Sequence, residues 1–305
     1  MFNKILVATD LLENCDPAVL VAAKIAEQHK GMLHVLHILE SGYSGEYRNF
    51  VKDFKTGEEL VSNEKYEAIV KEQIKSMYIW ILKDPENYEI RIRPGLPWEE
   101  ILRWARKKGP ELIVLGPHSG RAEVKGVKRG MFGSTVEGVI THERCPVMIV
   151  NRYIPKERLK FKNIMICIDF SESCKSALEF AIKVGKEYGA RLFLLHIFTV
   201  PTSSQPSRDE IENKMIALKQ QMEDLFKEIS GKIEHECTAW EGTQPSIEIL
   251  KFARDKDIDL IAMGSHTKQK DKKWSIGSAV QQVSLKSVCP VTVVTDPKVL
   301  LKLTE

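Results

Sequence analysis

Two doubly wound parallel α/β sheets in tandem, five strands each, are the fold that this sequence predicts, and three observations predict it. The chain repeats itself. Ile5-Leu-Val-Ala-Thr-Asp10 returns as Ile164-Met-Ile-Cys-Ile-Asp169, and Leu36-His37-Ile38 returns as Leu195-His196-Ile197, both at an offset of 159. Within each repeat, short runs apolar on both faces alternate with stretches of helical period, the pattern of a parallel sheet covered on both sides. Each repeat also carries an apolar run ending in glycine, then a basic loop, then a Gly-Ser pair. These are Leu112 to Leu115, Gly116 and Gly133-Ser134 in the first, and Leu260 to Met263, Gly264 and Gly277-Ser278 in the second.

After the first strand, Ala18, Val21, Ala22 and Ile25 match Ala177, Phe180, Ala181 and Val184, an i, i+3, i+4, i+7 stripe that faces a helix onto a sheet. Asn14 and Asp16 before Pro17, and Ser171 and Ser173 in the repeat, are start signals for it. The second strand precedes a polar stretch and a longer helix. That helix is marked by Tyr66, Val70, Ile74, Met77 and Ile81 in the first half, and by Ile211, Met215, Leu218, Met222, Leu225 and Ile229 in the second. Ser41 to Arg48 and the shorter Pro201 to Pro206 read as connections. A third strand is expected over Tyr88 to Ile92 and Ile233 to Ala239. Pro97 and Pro245 then suit the first turn of a helix, where a missing N–H costs nothing. Each half closes on Cys145-Pro-Val-Met-Ile-Val150 or Cys289-Pro-Val-Thr-Val-Val294.

Right-handed crossovers make the doubly wound sheet the economical topology. Ligands of such sheets lie beyond the strand carboxyl ends at the switch in strand order, which places Asp10 and Asp169 beside their glycine stretches. The polar residues 151–160 join the halves, giving domains at 1–151 and 161–296.

A chain of 305 residues is long for one core and comfortable for two. With 43% apolar and 29% charged residues it has the composition of an ordinary soluble protein, and a net charge of +3 argues for neither nucleic acid nor an anionic membrane. No apolar run approaches the roughly 20 residues of a membrane span. The first residues run into a strand without a signal peptide's apolar stretch, and six scattered cysteines form no framework, so reduced thiols and a cytoplasmic location are expected.

The strands ending in Asp10 and Asp169, the two Leu-His-Ile runs, Asp259-Leu-Ile-Ala-Met-Gly-Ser-His266, the Gly-Ser pairs and the two Cys-Pro-Val runs together resemble a tandem universal stress protein, with two such domains covering essentially the whole chain. The resemblance implies the adenine nucleotide alpha hydrolase-like fold. It also implies a stress-response regulator that binds ATP or a related adenine nucleotide, with or without Mg, and hydrolyses it slowly at most. The halves would mimic the homodimer of single-domain relatives, and the whole chain would form a homodimer.

In the family's nucleotide-binding branch the loop reads Gly, two residues, Gly, nine residues, Gly, then Ser or Thr. The second half keeps this spacing through Gly264, Thr267, Gly277 and Ser278, with Thr267 in place of the second glycine. A β-branched residue there disfavours positive φ and close approach to a phosphate. The first half has Ser119 at that position and Gly120 one step later. Residues 120–132, thirteen rather than nine, then lead to Gly133 and include Gly126 and Gly130. The residues implied to hold nucleotide are Asp169, Ile197, Met263, Gly264, His266, Thr267, Gly277, Ser278 and Ala279. Their first-half counterparts are Asp10, Ile38, Gly116, Gly120, Gly133, Ser134 and Thr135.

Each signal has a ligand-free reading as well. Ser134 with Glu137, and Ser278 with Gln281, have the spacing of capping boxes. Asp10 and Asp169 suit turns. Arg121, Lys125, Lys128, Arg129 and Lys268, Lys270, Lys272, Lys273 favour phosphate but equally make a solvated loop. His235 and Cys237 point to one side of a strand, and two ligand types alone make no metal site. No catalytic triad, Cys/His pair or carboxylate pair stands out. The alternative to a nucleotide sensor is therefore a nucleotide-free dimeric interaction module of the same family, in which the second glycines were lost with the ligand.

Overall fold

The computed structural model describes residues 1–42, 47, 49–53, 55–117, 132–200, 206–229, 233–265 and 276–295. The chain divides into two compact units, Met1–Ile154 and Pro155–Glu305.

In the first unit β1 (Lys4–Thr9) leads through a 3₁₀ turn (Glu13–Cys15) into α1 (Asp16–His29) and β2 (Met32–Glu40). A hairpin of β3 (Phe50–Lys52) and β4 (Glu59–Val61) follows, then α2 (Glu64–Met77), β5 (Tyr88–Gly95) and α3 (Pro97–Lys108). The unit ends with β6 (Leu112–Leu115), α4 (Ser134–His142) and β7 (Val147–Ile149). Its other five strands are parallel in the order β5-β2-β1-β6-β7, so the order switches between β1 and β6.

The second unit repeats the plan without the hairpin. It runs β8 (Asn163–Cys167), α5 (Glu172–Tyr188), β9 (Arg191–Phe198), α6 (Arg208–Ile229), β10 (His235–Glu241), α7 (Pro245–Asp255), β11 (Leu260–Gly264), α8 (Ser278–Lys286) and β12 (Val291–Val294). Its parallel order is β10-β9-β8-β11-β12, with the switch between β8 and β11. Each unit thus has the predicted five parallel strands. Their central strands, such as Ile5 to Val7 and Ile164 to Ile166, are fully buried, as coverage on both faces requires.

Pro97 and Pro245 open their helices as expected, and Ser171 caps α5 by accepting from the Cys174 amide at 3.1 Å. Three local expectations need correction. The helix marked by Tyr66 and Ile74 ends at Met77, and Ile81 lies past it in a turn that donates to the Tyr78 carbonyl. The β3–β4 hairpin lies in the polar stretch between the Ser41–Arg48 connection and that helix, where the sequence marks no strand. It turns on Asp53, whose carboxylate accepts from the Lys55 and Thr56 amides. Finally, neither capping box forms. The cap residues are Gly133 and Gly277, so Ser134 and Ser278 sit one position inside their helices, where the box geometry does not exist. Among the described residues no helix is long and apolar enough to cross a membrane.

Candidate functional site

The first unit carries a cleft of about 230 Å³ at its switch point. Its floor is the carboxyl ends of β1, β2 and β6 (Ala8 to Asp10, His37 to Glu40, Leu115 and Gly116), and one wall is the first turn of α4, Gly133 to Val136. Leu96, Pro97, Trp98 and Ile101 of α3 and its approach form an apolar wall, and Lys52 of the hairpin reaches the rim.

The floor is set by a strained turn. Leu11 has φ +63, a conformation costly for a branched side chain, and Phe170 has φ +60 at the matching position of the second unit. The preceding aspartate offsets the strain in each case. Asp10 Oδ1 accepts from the Leu12 amide at 3.0 Å, and Asp169 Oδ1 accepts from the Ser171 amide at 3.0 Å and its hydroxyl at 2.6 Å. Both aspartates therefore hold a turn at the strand end.

Beneath Asp10 runs a polar chain. Tyr78 donates its hydroxyl proton to Asp16 at 2.8 Å, which leaves Thr9 to donate to Tyr78 at 3.2 Å, while the Leu11 amide donates to Thr9 at 3.1 Å. Burial and the Asp16 carboxylate push the Tyr78 phenol above its ordinary range, so it stays a neutral donor. His37 donates through Nδ1 to the Thr9 carbonyl at 2.8 Å, and His196 does the same to Ile168 at 2.7 Å. A carbonyl only accepts, so each ring carries its proton on Nδ1.

Gly116 and Gly264 lie under the starts of α1 and α5. A Cβ on Gly116 would stand 3.0 Å from the Asn14 carbonyl oxygen and 3.3 Å from Cys15 Sγ. One on Gly264 would stand 2.7 Å from both the Cys174 nitrogen and the Ser173 carbonyl carbon. Neither glycine has a positive φ. Close helix packing is thus reason enough for both, whatever their role toward a ligand.

The base of each long loop is tied shut, Gly133 N donating to Pro117 O at 3.4 Å and Gly277 N to Ser265 O at 3.2 Å. These ties bring the starts of α4 and α8 to the carboxyl ends of β6 and β11. In the first unit Asp10, Ile38, Gly116, Gly133, Ser134 and Thr135 all line the one cleft. In the second, Met263 pairs with Cys167 two residues before Asp169, Ile197 lies on the neighbouring strand β9, and Gly264 ends β11. Gly277 to Ala279 open α8. These residues share one sheet edge. Gly120, His266, Thr267 and the basic residues of both loops lie outside the described residues.

Sequence reasoning passes over Trp98, Lys52 and Glu40. Trp98 is one residue past the helix-opening proline and stacks on His142 at 5.2 Å, and only the unforeseen hairpin brings Lys52 to the rim. Elsewhere, Glu223 of α6 joins His235 and Cys237 of β10. One ligand atom from each lies within 4.8 Å of the others.

Comparison with known proteins places this architecture. The model of the universal stress protein family matches residues 1–151 and again 160–295. Universal stress protein MJ0531 of Methanocaldococcus jannaschii is 30% identical over 156 residues, covering 49% of this chain and 91% of its own. YxiE of Bacillus subtilis, also a universal stress protein, is 32% identical over 147 residues, covering 44% of this chain and 99% of its own. A universal stress protein from Archaeoglobus fulgidus has a solved structure similar in fold over 96% of both chains, at 21% identity and a TM-score of 0.64.

Proposed function

Because the chain belongs to the universal stress protein family, its model matching both halves, we propose that it is a stress-response regulator whose first-unit cleft binds ATP or a related adenine nucleotide. One observation carries the reading. At the switch point, the apolar wall of Leu96, Trp98 and Ile101 lines one cleft with the opening turn of α4, whose cap residue Gly133 has no side chain to cover the helix amides. An adenine suits the wall, ribose hydroxyls suit Asp10, and phosphates suit a helix start with Lys52 at the rim. Within the family, one universal stress protein has been solved in complex with cAMP, which is a property of that protein. The second unit presents the matching set Asp169, Ile197, Met263, Gly264, Gly277, Ser278 and Ala279, and is proposed as the second site. Slow hydrolysis, Mg and a homodimer of the whole chain belong to this proposal.

A nucleotide-free module has its own support, since Gly116 and Gly264 are required by helix packing with no ligand at all. The variant Gly133→Asp separates the readings. Gly133 has φ −67 and ψ 154, which any residue adopts, and aspartate is a preferred cap. The carboxylate should steady α4 by roughly 0.5 kcal/mol, since glycine is already a fair cap, while repelling phosphate from the same amides. Labelled ATP is expected to saturate the wild-type chain and to bind Gly133→Asp at least tenfold more weakly. Absence of saturation in the wild type up to millimolar ATP would leave the interaction module as the function.

A further inference from the structure

We propose that Glu223, His235 and Cys237, where α6 crosses the β10 edge of the second unit, bind one divalent transition-metal ion of the zinc class, with a fourth position left to water. This site is independent of the nucleotide reading.

Geometry comes first. His235 and Cys237 are i and i+2 on β10 and share a face, while Glu223 descends from α6, which packs on that strand. The three ligand atoms lie within 4.8 Å of one another, and His235 Nε2 is 2.9 Å from Glu223 Oε2. Zinc bonds of about 2.0–2.3 Å in tetrahedral array separate ligand atoms by roughly 3.3–3.8 Å, so small side-chain adjustments suffice. Phe226 stacks on the imidazole at 3.8 Å and 27°, fixing the ring plane. The His235 and Glu223 side chains remain 23% and 34% exposed, which leaves an entry path and room for water.

His235 Nδ1 stands 3.1 Å from the Ile233 carbonyl oxygen, and Nε2 faces the Glu223 carboxylate. Both neighbours are acceptors, and a neutral imidazole has one proton to give. Either the ring is a full imidazolium or something positive belongs between Nε2 and the carboxylate. A ring whose Nδ1–H is anchored on a backbone carbonyl is oriented as metal-binding histidines are, with the Nε2 lone pair free for the ion.

An ion pair between His235 and Glu223 has no need of a thiol, yet Cys237 is set against the same carboxylate. One thiolate and one carboxylate balance a 2+ ion, and the mixed S, N, O donor set suits zinc. Metal binding would displace the Cys237 proton to solvent, forming the metal–sulfur bond. Lys219 and Lys227, one turn either side of Glu223 on α6, are the cations that the neutralised site must tolerate. The fold itself does not demand these residues. Leu33 pairs with Tyr88, and its counterpart Leu192 pairs with His235, so the same places in the first unit hold Tyr88 and Ile90. Among the described residues no other such trio of metal-ligating side chains converges.

The test uses the full, untagged chain stripped with chelator and free of nucleotide. Titration with Co²⁺ is expected to give one equivalent bound, with a thiolate-to-cobalt charge-transfer band and visible bands of tetrahedral intensity, all removed by Zn²⁺. Cys237→Ser should abolish the charge-transfer band. Glu223→Gln should weaken zinc by at least about 100-fold, the upper end of what losing an outer-shell partner costs, while leaving the melting temperature of the stripped protein near wild type. It serves as the second variant if Cys237→Ser folds poorly. A Cys145→Ser control should keep the band. No charge-transfer band at saturating Co²⁺, or a band that survives in Cys237→Ser, would overturn the proposal. So would affinity for zinc unchanged in Glu223→Gln.

Discussion

In the first unit Trp98 lies over Gly138, where an added Cβ would stand 2.7 Å from the indole Cγ. The matching positions of the second unit, 148 and 144 residues on, are Ser246 and Gln282, joined by a hydrogen bond of 2.8 Å. One unit fills the space between its third and fourth long helices with a large residue over none, the other with a small one against a longer amide. The sheet edges differ in the same way. His34, Glu89, Lys108 and Trp104 of the first unit answer to Phe193, Glu236, Lys256 and Phe252 of the second, both sets keeping a carboxylate–lysine pair beside an aromatic ring. What stays constant is the backbone around the switch point: the strained residue after each aspartate, the histidine that ties strand two to strand one, and the glycine under the first helix. The duplication has thus kept the frame of the cleft and varied what stands around it.

The frame can be broken most severely at that glycine, and unequally. At Gly264 the new methyl of Gly264→Ala meets backbone atoms of α5 at 2.7 Å, which cannot rotate away. At Gly116 the nearest atom is 3.0 Å off and the next is the Cys15 sulfur at 3.3 Å. Gly264→Ala should therefore cost about 3 kcal/mol and Gly116→Ala about 1 kcal/mol, read from denaturant midpoints of the full chain. Equal costs would show that the two helix starts are not held in the way described.

The constant features were legible in the sequence, and the varied ones much less so. A strand apolar on both faces, a glycine at its end and a proline at a helix start each report a local backbone demand, so Ile5 to Thr9, Gly264 and Pro245 announce themselves. Trp98 does not, because its meaning depends on a glycine forty residues later that only the fold brings beneath it. The capping-box spacing misleads for a related reason. A Ser three residues before Glu or Gln fixes a spacing but not which residue leaves the helix first, and Gly133 and Gly277 take that place. Glu223 is likewise invisible until α6 lays it against His235, since one glutamate among many on a polar helix carries no periodic signal.

The large-for-small exchange gives the next test. Trp98→Ser alone removes an indole that packs on Gly138 and stacks on His142, and should cost about 2 kcal/mol. Adding Gly138→Gln, the second unit's pair, should restore part of that loss, whereas Gly138→Gln alone collides with the indole. A positive coupling energy of about 1 kcal/mol in the double-mutant cycle is expected. Simple additivity would mean that the two positions do not compensate.

The smallest expected effect lies at His34, an imidazole on β2 whose matching position in the second unit holds Phe193. Burial, and then the Lys108 ammonium, hold the His34 pKa below its ordinary value despite Glu89 at 3.1 Å. Glu89 is opposed by burial, yet Lys108 and Arg91 keep its carboxyl down at about 2. Both groups have folded values below their unfolded ones, so both contribute stability that is present at high pH and lost on acidification. His34 begins to lose its share below about pH 6.5, its ordinary value, and Glu89 below about 4.5, continuing through about 2. His34→Phe, which copies Phe193, should flatten the upper part of the stability-against-pH curve. Glu89→Gln should flatten the lower part, at a cost near neutral pH of about 1 kcal/mol once solvent screening of a partly exposed pair is allowed for. Chemical denaturation between pH 3 and 8 reads both slopes. If His34→Phe leaves the upper slope unchanged, His34 is not the group that sets it.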